Sequence, residues 1–207
     1  MKRNGSERVT DDELSWRRLS SRAGPELPLF SVRLDEMEHP ESGNVLSRLV
    51  LSSVDWVNLV ALTAAGESVM VRQFRFGVSY PTLETPGGMV DPGEDSLTAA
   101  RRELLEETGF SGGRWRYLGA VEPNPAIHDH LCHHWLAEGV EQTQAPANTG
   151  GEHIHVTLMS EAEVRAAVQD GTLRHALALS ALSRVFDLWP RPFEQDPAGA
   201  SGARRSP

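Results

Sequence analysis

The stretch from Gly88 to Phe110, GMVDPGEDSLTAARRELLEETGF, constrains this chain more than any other, because it sets six acidic residues within twenty-three positions and still has the grammar of a loop followed by a helix. Asp91, Pro92 and Gly93 make a turn. From Glu94 or Ser96 to Thr108 the residues are rich in Ala, Leu, Arg and Glu, and Gly109 stands where a helix C-terminus favours left-handed backbone. Glu103, Glu106 and Glu107 fall at i, i+3 and i+4, so their carboxylates project from one helix face within about 6 Å of one another. Like charges so placed repel by roughly 0.2–0.5 kcal/mol per pair, and a divalent cation turns that repulsion into coordination. Leu97, Ala100 and Leu104 supply an apolar stripe that seats the helix on a core and holds the acidic face outward.

A solvated surface is the ordinary fate of a glutamate cluster on a helix. The register here is more specific: Gly88, five residues, Glu94, seven residues, Arg102-Glu103, Leu104, one residue, Glu106-Glu107, one residue, Gly109 and the apolar Phe110. On these residues the chain resembles the Nudix hydrolases. The resemblance implies an α/β fold, an α/β/α sandwich with a mixed sheet, and a hydrolase of nucleoside diphosphates linked to another moiety, dependent on Mg2+ or alternatively Mn2+. It also implies that Glu103 and Glu107 hold the metal, with Glu106 as a third ligand and the Gly87 carbonyl as a further oxygen donor. Arg102 and Glu94 then form an orienting ion pair within the motif.

Composition bounds the remaining possibilities. A length of 207 residues with 39% hydrophobic and 24% charged residues suits one domain with an appendage. Cys132 is the single cysteine, which excludes an intramolecular disulfide framework and a cysteine zinc cage, and fits a reducing cytoplasm. The opening residues lack the apolar core of a signal peptide, and no run approaches the roughly 20 apolar residues that span a bilayer, so no membrane association is expected. A net charge of -9 argues against a nucleic-acid backbone interface, though not against a nucleotide whose charge is met by metal ions and one or two arginines.

Along the chain, residues 1–12 are polar and expected to be poorly ordered, and the Pro- and Gly-containing tail from 190 to 207 is expected to be flexible. Strands are predicted over 29–37, 45–53, 56–63 and 68–77, dividing the chain into an N-terminal β region at 13–55 and the main domain at 56–189. The residues RQFR followed by YPTLETPGG resemble the ADP-ribose and nucleoside diphosphate sugar pyrophosphatase branch of the same family. In that branch the N-terminal strands form a small antiparallel sheet that builds a homodimer and part of the nucleoside pocket. The same resemblance makes Arg75 a contact for substrate phosphate, Glu84 a second acid near metal or substrate, and Gly88 part of the substrate-binding set. Trp56 offers a π-face for a base, with ordinary core packing as the alternative.

After the motif, 114–124 is predicted as a strand, followed by His128, His130, His133 and His134. Strand alternation sends successive side chains to opposite faces, which argues against a shared transition-metal site; one of the histidines, with His130 as the candidate, lines the pocket instead. Residues 141–151 form a loop that ends at Glu152 and a further strand. In related pyrophosphatases a glutamate at this place reaches the metal as base or ligand, which makes Glu152, with Glu106 and Glu107, a catalytic candidate. Glu152, a histidine from the cluster, or water activated by the cation without a dedicated protein base remain open as sources of the nucleophile. Helices are predicted from Ser160 to Asp170-Gly171 and from 173 to 188. The function implied is hydrolysis of the diphosphate of ADP-ribose or a nucleotide sugar to a nucleoside monophosphate and a sugar phosphate. Alternatives are another nucleotide substrate, such as a dinucleotide or triphosphate, and a catalytically weak nucleotide-sugar-binding regulator.

Overall fold

Runs of β-forming residues separated by Gly and Pro give two sheets, one in each of two units. The computed structural model describes residues 10–147 and 153–189. The first unit takes the described residues up to Ser53 together with Asn124–His130; the second takes Val54–Pro123 and the described residues from Leu131 onward.

In the first unit a short helix, α1 (Asp11–Leu14), begins at Thr10, whose side chain and that of Glu13 cap each other's backbone. Structure thus starts within the segment expected to be unordered. Three strands follow, β1 (Arg17–Glu26), β2 (Ser31–Glu38) and β3 (Val45–Ser52), in the antiparallel order β1-β2-β3. Asn124–His130 returns to this unit: Leu51 donates to the Ile127 carbonyl at 2.7 Å, and Asp129 accepts from Ser52 at 2.7 Å and from Arg33 at 3.1 Å. Val32 is the sole buried apolar side chain of this unit among the described residues.

The second unit contains β4 (Trp56–Thr63), β5 (Ser68–Arg75), β6 (Tyr80–Glu84), β7 (Gly87–Met89), α2 (Ser96–Thr108), β8 (Phe110–Val121), β9 (Cys132–Gln142), β10 (His155–Met159), α3 (Glu161–Gln169) and α4 (Ala176–Leu182). Its mixed sheet runs β10-β5-β4-β9-β8, with β6 on β5 and β7 on β4, and the β4–β9 pair is parallel. Helices cover both faces. Ala99, Ala100 and Leu104 of α2 pack with Val57, Leu59, Val69 and Ala137, whereas Val164 of α3 and Ala181 and Leu182 of α4 pack with Val60, Met70 and Leu136. Alternate residues of β4 therefore feed opposite cores, as the two-residue period of a strand requires.

The helix predicted over 173–188 is confined to Ala176–Leu182, with turns beyond it. The strand predicted from 114 begins at Phe110, directly after the α2 stop.

Candidate functional site

The site grows from a split in the sheet. β4 and β5 share one registered pair, Leu62 with Ser68, beside their connecting turn, and then part. β6 continues along β5, β7 continues along β4, and the two-residue link Thr85-Pro86 crosses between them. Gly87 thereby lies opposite Asn58, and Gly88 opposite Val57. The approach is close: a Cβ on Gly87 would stand 2.9 Å from the Asn58 Cα and overlap the Val57 carbonyl oxygen.

Against this edge lies α2. Asp95 caps it, its Oδ1 accepting from the backbone N–H groups of Leu97 at 2.9 Å and Thr98 at 3.0 Å, and Gly109 ends it at φ 74°. A Cβ at Gly109 would overlap the carbonyl oxygen of Gln144, so this stop is reserved for glycine twice over. The loop after β9 is fastened here as well, since Thr143 donates to the Gly109 carbonyl at 2.9 Å and Ala147 to the Glu106 carbonyl at 2.8 Å.

The three glutamates on α2 have different surroundings. Glu107 is only 6% exposed and accepts the Gly87 N–H at 3.0 Å, so the acidic face is not wholly outward as expected. Glu103 lies beneath Gly88, whose missing side chain leaves its carboxylate room: a Cβ there would stand 2.5 Å from the Glu103 Cδ. Glu106 is the most open. Arg102 spans the group, donating to Glu103 at 2.8 Å, to Glu106 at 3.3 Å, to Glu94 at 3.0 Å and to the Met89 carbonyl at 2.9 Å. The hydrogen bond to Glu94 is the largest cause that raises the Arg102 pKa, and the same bond holds the Glu94 carboxyl below its usual range. The Arg102–Glu94 pair expected from the motif is present as one arm of a wider bridge.

Arg75 and Glu84 are brought onto each other. The guanidinium donates through Nε at 2.8 Å and Nη2 at 2.7 Å, a bidentate fork. Glu84 is 1% exposed and also accepts from Thr82 and faces His175 Nε2 at 3.6 Å. Burial pushes the Glu84 carboxyl up, but the Arg75 hydrogen bond, the His175 charge and Thr82 together hold it below the usual range. Arg75 keeps a partly exposed side chain backed by a buried carboxylate.

The histidines do not gather. His133 bonds Asp55 at 3.1 Å and Tyr117 at 2.9 Å, whereas His134, next along β9, is fully buried, and burial pushes its pKa down to about 4. His130 is buried in the first unit, stacked on His128 at 5.1 Å with Phe30 beyond. Trp56 opens β4 in register with Met89 and Cys132 and is half-buried. Glu152 lies outside the described residues. Asn58, Thr85 and His175 join the site from outside the predicted set; the Asn that interrupts the apolar run WVNLVALT is the signal the sequence offers for the first of them.

Among the described residues no three His, Cys, Asp or Glu side chains converge on one point. The donor set nevertheless suits a hard cation: carboxylate oxygens of Glu103, Glu106 and Glu107 beside a backbone segment, and a glycine that leaves space for one of them. In this structure Arg102 pairs with Glu103 and Glu106, and a bound cation would compete with its guanidinium for those carboxylates.

The NUDIX domain family model matches residues 55–180. An ADP-ribose pyrophosphatase of Mycobacterium tuberculosis (strain ATCC 25618 / H37Rv) is 28% identical over 189 residues, covering 86% of this chain and 90% of that protein. An ADP-ribose pyrophosphatase of Bacillus subtilis (strain 168) is 31% identical over 110 residues, and a methanol dehydrogenase activator of Bacillus methanolicus is 29% identical over 119 residues; the matches span 59% and 64% of those relatives and 53% and 58% of this chain. A crystal structure of an ADP compounds hydrolase superposes with a TM-score of 0.73 at 20% identity, over 87% of this chain and 95% of that one, which supports the fold. Among the described residues no helix is long and apolar enough to cross a membrane.

Proposed function

This chain belongs to the NUDIX family, and on that premise we propose that it hydrolyses the diphosphate of ADP-ribose or a nucleoside diphosphate sugar, with Mg2+ as cofactor. The observation that carries the reading is the juxtaposition of the Gly87-Gly88 edge with Glu103 and Glu107 on a rigid, capped helix. The relative matched over 90% of its length is named an ADP-ribose pyrophosphatase, which supports the choice of substrate.

Glu103, Glu106, Glu107 and the Gly87 carbonyl hold the cation, joined by Glu152. Bound Mg2+ supplies positive charge to the diphosphate oxygens and acidifies the attacking water. Arg75 steadies the diphosphate, and Glu84, bonded to two of its nitrogens, fixes the guanidinium plane. Water oxygen bonds to one phosphorus, its proton passes to Glu152, to a histidine of the 128–134 cluster or to solvent, and the bridging P–O bond breaks with its electron pair leaving on the other phosphate. The products are a nucleoside monophosphate and a sugar phosphate. Trp56 and Gly88 complete the substrate-contacting set of the second unit.

The reading extends to a homodimer through the first unit, whose sheet buries one apolar side chain and leaves Leu19, Val45, Leu46 and Leu49 exposed. It extends also to the cytoplasm, where Cys132, buried with its thiol pushed up to about 12, stays reduced.

The test is a panel of ADP-ribose, GDP-mannose, UDP-glucose, dinucleotides and triphosphates incubated with and without Mg2+, with products identified by mass. Mg2+-dependent release of a nucleoside monophosphate from a diphosphate-linked substrate is expected, and Glu107→Gln is expected to lower it by orders of magnitude. No turnover of any diphosphate-linked compound, or near-normal turnover by the variant, would refute the proposal.

A further inference from the structure

The link Thr85-Pro86 is where the sheet changes partners, and there the backbone ladder is interrupted. β6 ends on β5 at Glu84, β7 begins on β4 at Gly87, and Pro86 has no N–H to offer either strand. Thr85 is 2% exposed, so its polar groups are sealed from water. Such groups are costly to bury unless they are hydrogen-bonded. Asn58 meets that need with its side chain. Its Oδ1 accepts the Thr85 hydroxyl at 2.6 Å, and its Nδ2 donates to the carbonyls of Thr85 and Pro86, each at 3.4 Å. The next residue, Leu59, donates its backbone N–H to the Pro86 carbonyl at 3.0 Å. One amide side chain and one backbone N–H thus replace the missing rungs, and the chain enters Gly87 in a fixed register.

The register matters because the Gly87 N–H is the donor that meets Glu107 at 3.0 Å. We propose that Asn58 is a positioning residue: through Thr85 and Pro86 it sets Gly87, and Gly87 in turn sets the Glu107 carboxylate for the cation. Its effect on cation binding rests on the metal-dependent function proposed above.

The test uses the full chain and Mn2+ alone, titrated without nucleotide and followed by electron paramagnetic resonance, beside hydrogen exchange at the Gly87 amide in metal-free protein. Asn58→Val removes the amide but strands the Thr85 hydroxyl, so Asn58→Val/Thr85→Val is made as well; replacing both partners of that bond by apolar groups of similar shape removes the hydroxyl's cost, and leaves the Thr85 carbonyl without its amide donor in both variants. Both variants are expected to bind Mn2+ about 10–100-fold more weakly, the range found when residues supporting metal ligands are lost, and to exchange the Gly87 amide faster by about the same factor. Thr85→Ser, which retains the hydroxyl, is expected to behave as wild type. Unchanged Mn2+ affinity and unchanged Gly87 exchange in the double variant would overturn the proposal, as would a Thr85→Ser variant as weak as the double. If the wild-type chain binds no Mn2+, the metal reading fails, and Gly87 exchange still decides whether Asn58 is the clamp.

Discussion

Gly88→Ala is the substitution that separates fold from chemistry most sharply. The added Cβ would stand 2.5 Å from the Cδ of Glu103, and no backbone atom is among its three nearest neighbours, which all belong to that carboxylate. The far end of a flexible side chain yields easily, so the cost in stability is within about 1 kcal/mol. Reaching the 3.4 Å of ordinary contact takes a withdrawal of about 0.9 Å by the carboxyl carbon, and misplacements near 1 Å cost on the order of 100-fold in rate. Gly87→Ala provides the contrast, because its Cβ meets the backbone of Val57 and Asn58 and must disturb the β4–β7 pairing itself. The assay is kcat/KM on the best substrate of the panel beside thermal melting. Gly88→Ala should lose roughly 100-fold in kcat/KM with an almost unchanged melting temperature, and Gly87→Ala should lose both. A Gly88→Ala enzyme within a few-fold of wild type would refute the idea that the glycine makes room for a working carboxylate.

Other perturbations probe the surroundings. The His134 pKa falls from 6.5 to about 4 on folding, so between those values the unfolded chain takes up a proton that the folded chain refuses; stability should drop by about 1.5 kcal/mol from pH 6.5 to pH 5. Denaturant melts of His134→Leu should lack that slope, and an unchanged slope would assign the acid sensitivity elsewhere. Glu84→Gln should cost roughly 1–3 kcal/mol, less than a fully buried pair because Arg75 is partly exposed, and should raise KM through a loosened guanidinium; a normal KM would remove Arg75 from the diphosphate. Leu104→Ala, with Leu104 fully buried between α2 and the sheet, should destabilise by about 2–5 kcal/mol, and a loss under 1 kcal/mol would mean α2 is not seated by that residue.

Local chemistry made some elements legible in the sequence and concealed others. α2 could be read because its cap, composition and glycine stop are written in consecutive residues. β1 could not: every residue but one along RRLSSRAGPE is exposed, so no apolar alternation marks it. β6 and β7 hid within YPTLETPGGM, where Pro81, Pro86 and two glycines carry turn signals that tertiary pairing overrides. Helical spacing placed Glu103, Glu106 and Glu107 on one face, but the burial of Glu107 comes from a strand edge twenty residues upstream in sequence. The separation of His133 from His134 followed from strand alternation alone. The embrace of Arg75 by Glu84 depends on strands meeting in register and was not foreseen.

The bond from Ala147 to the Glu106 carbonyl works as a mooring. Glu152 is five residues further on, so its tether pays out no more than about 18 Å from that point, whatever path it takes. On the role proposed for Glu152, a change in that five-residue span should alter the reaction rate while the bonds of Thr143 and Ala147 keep the end of α2 fastened.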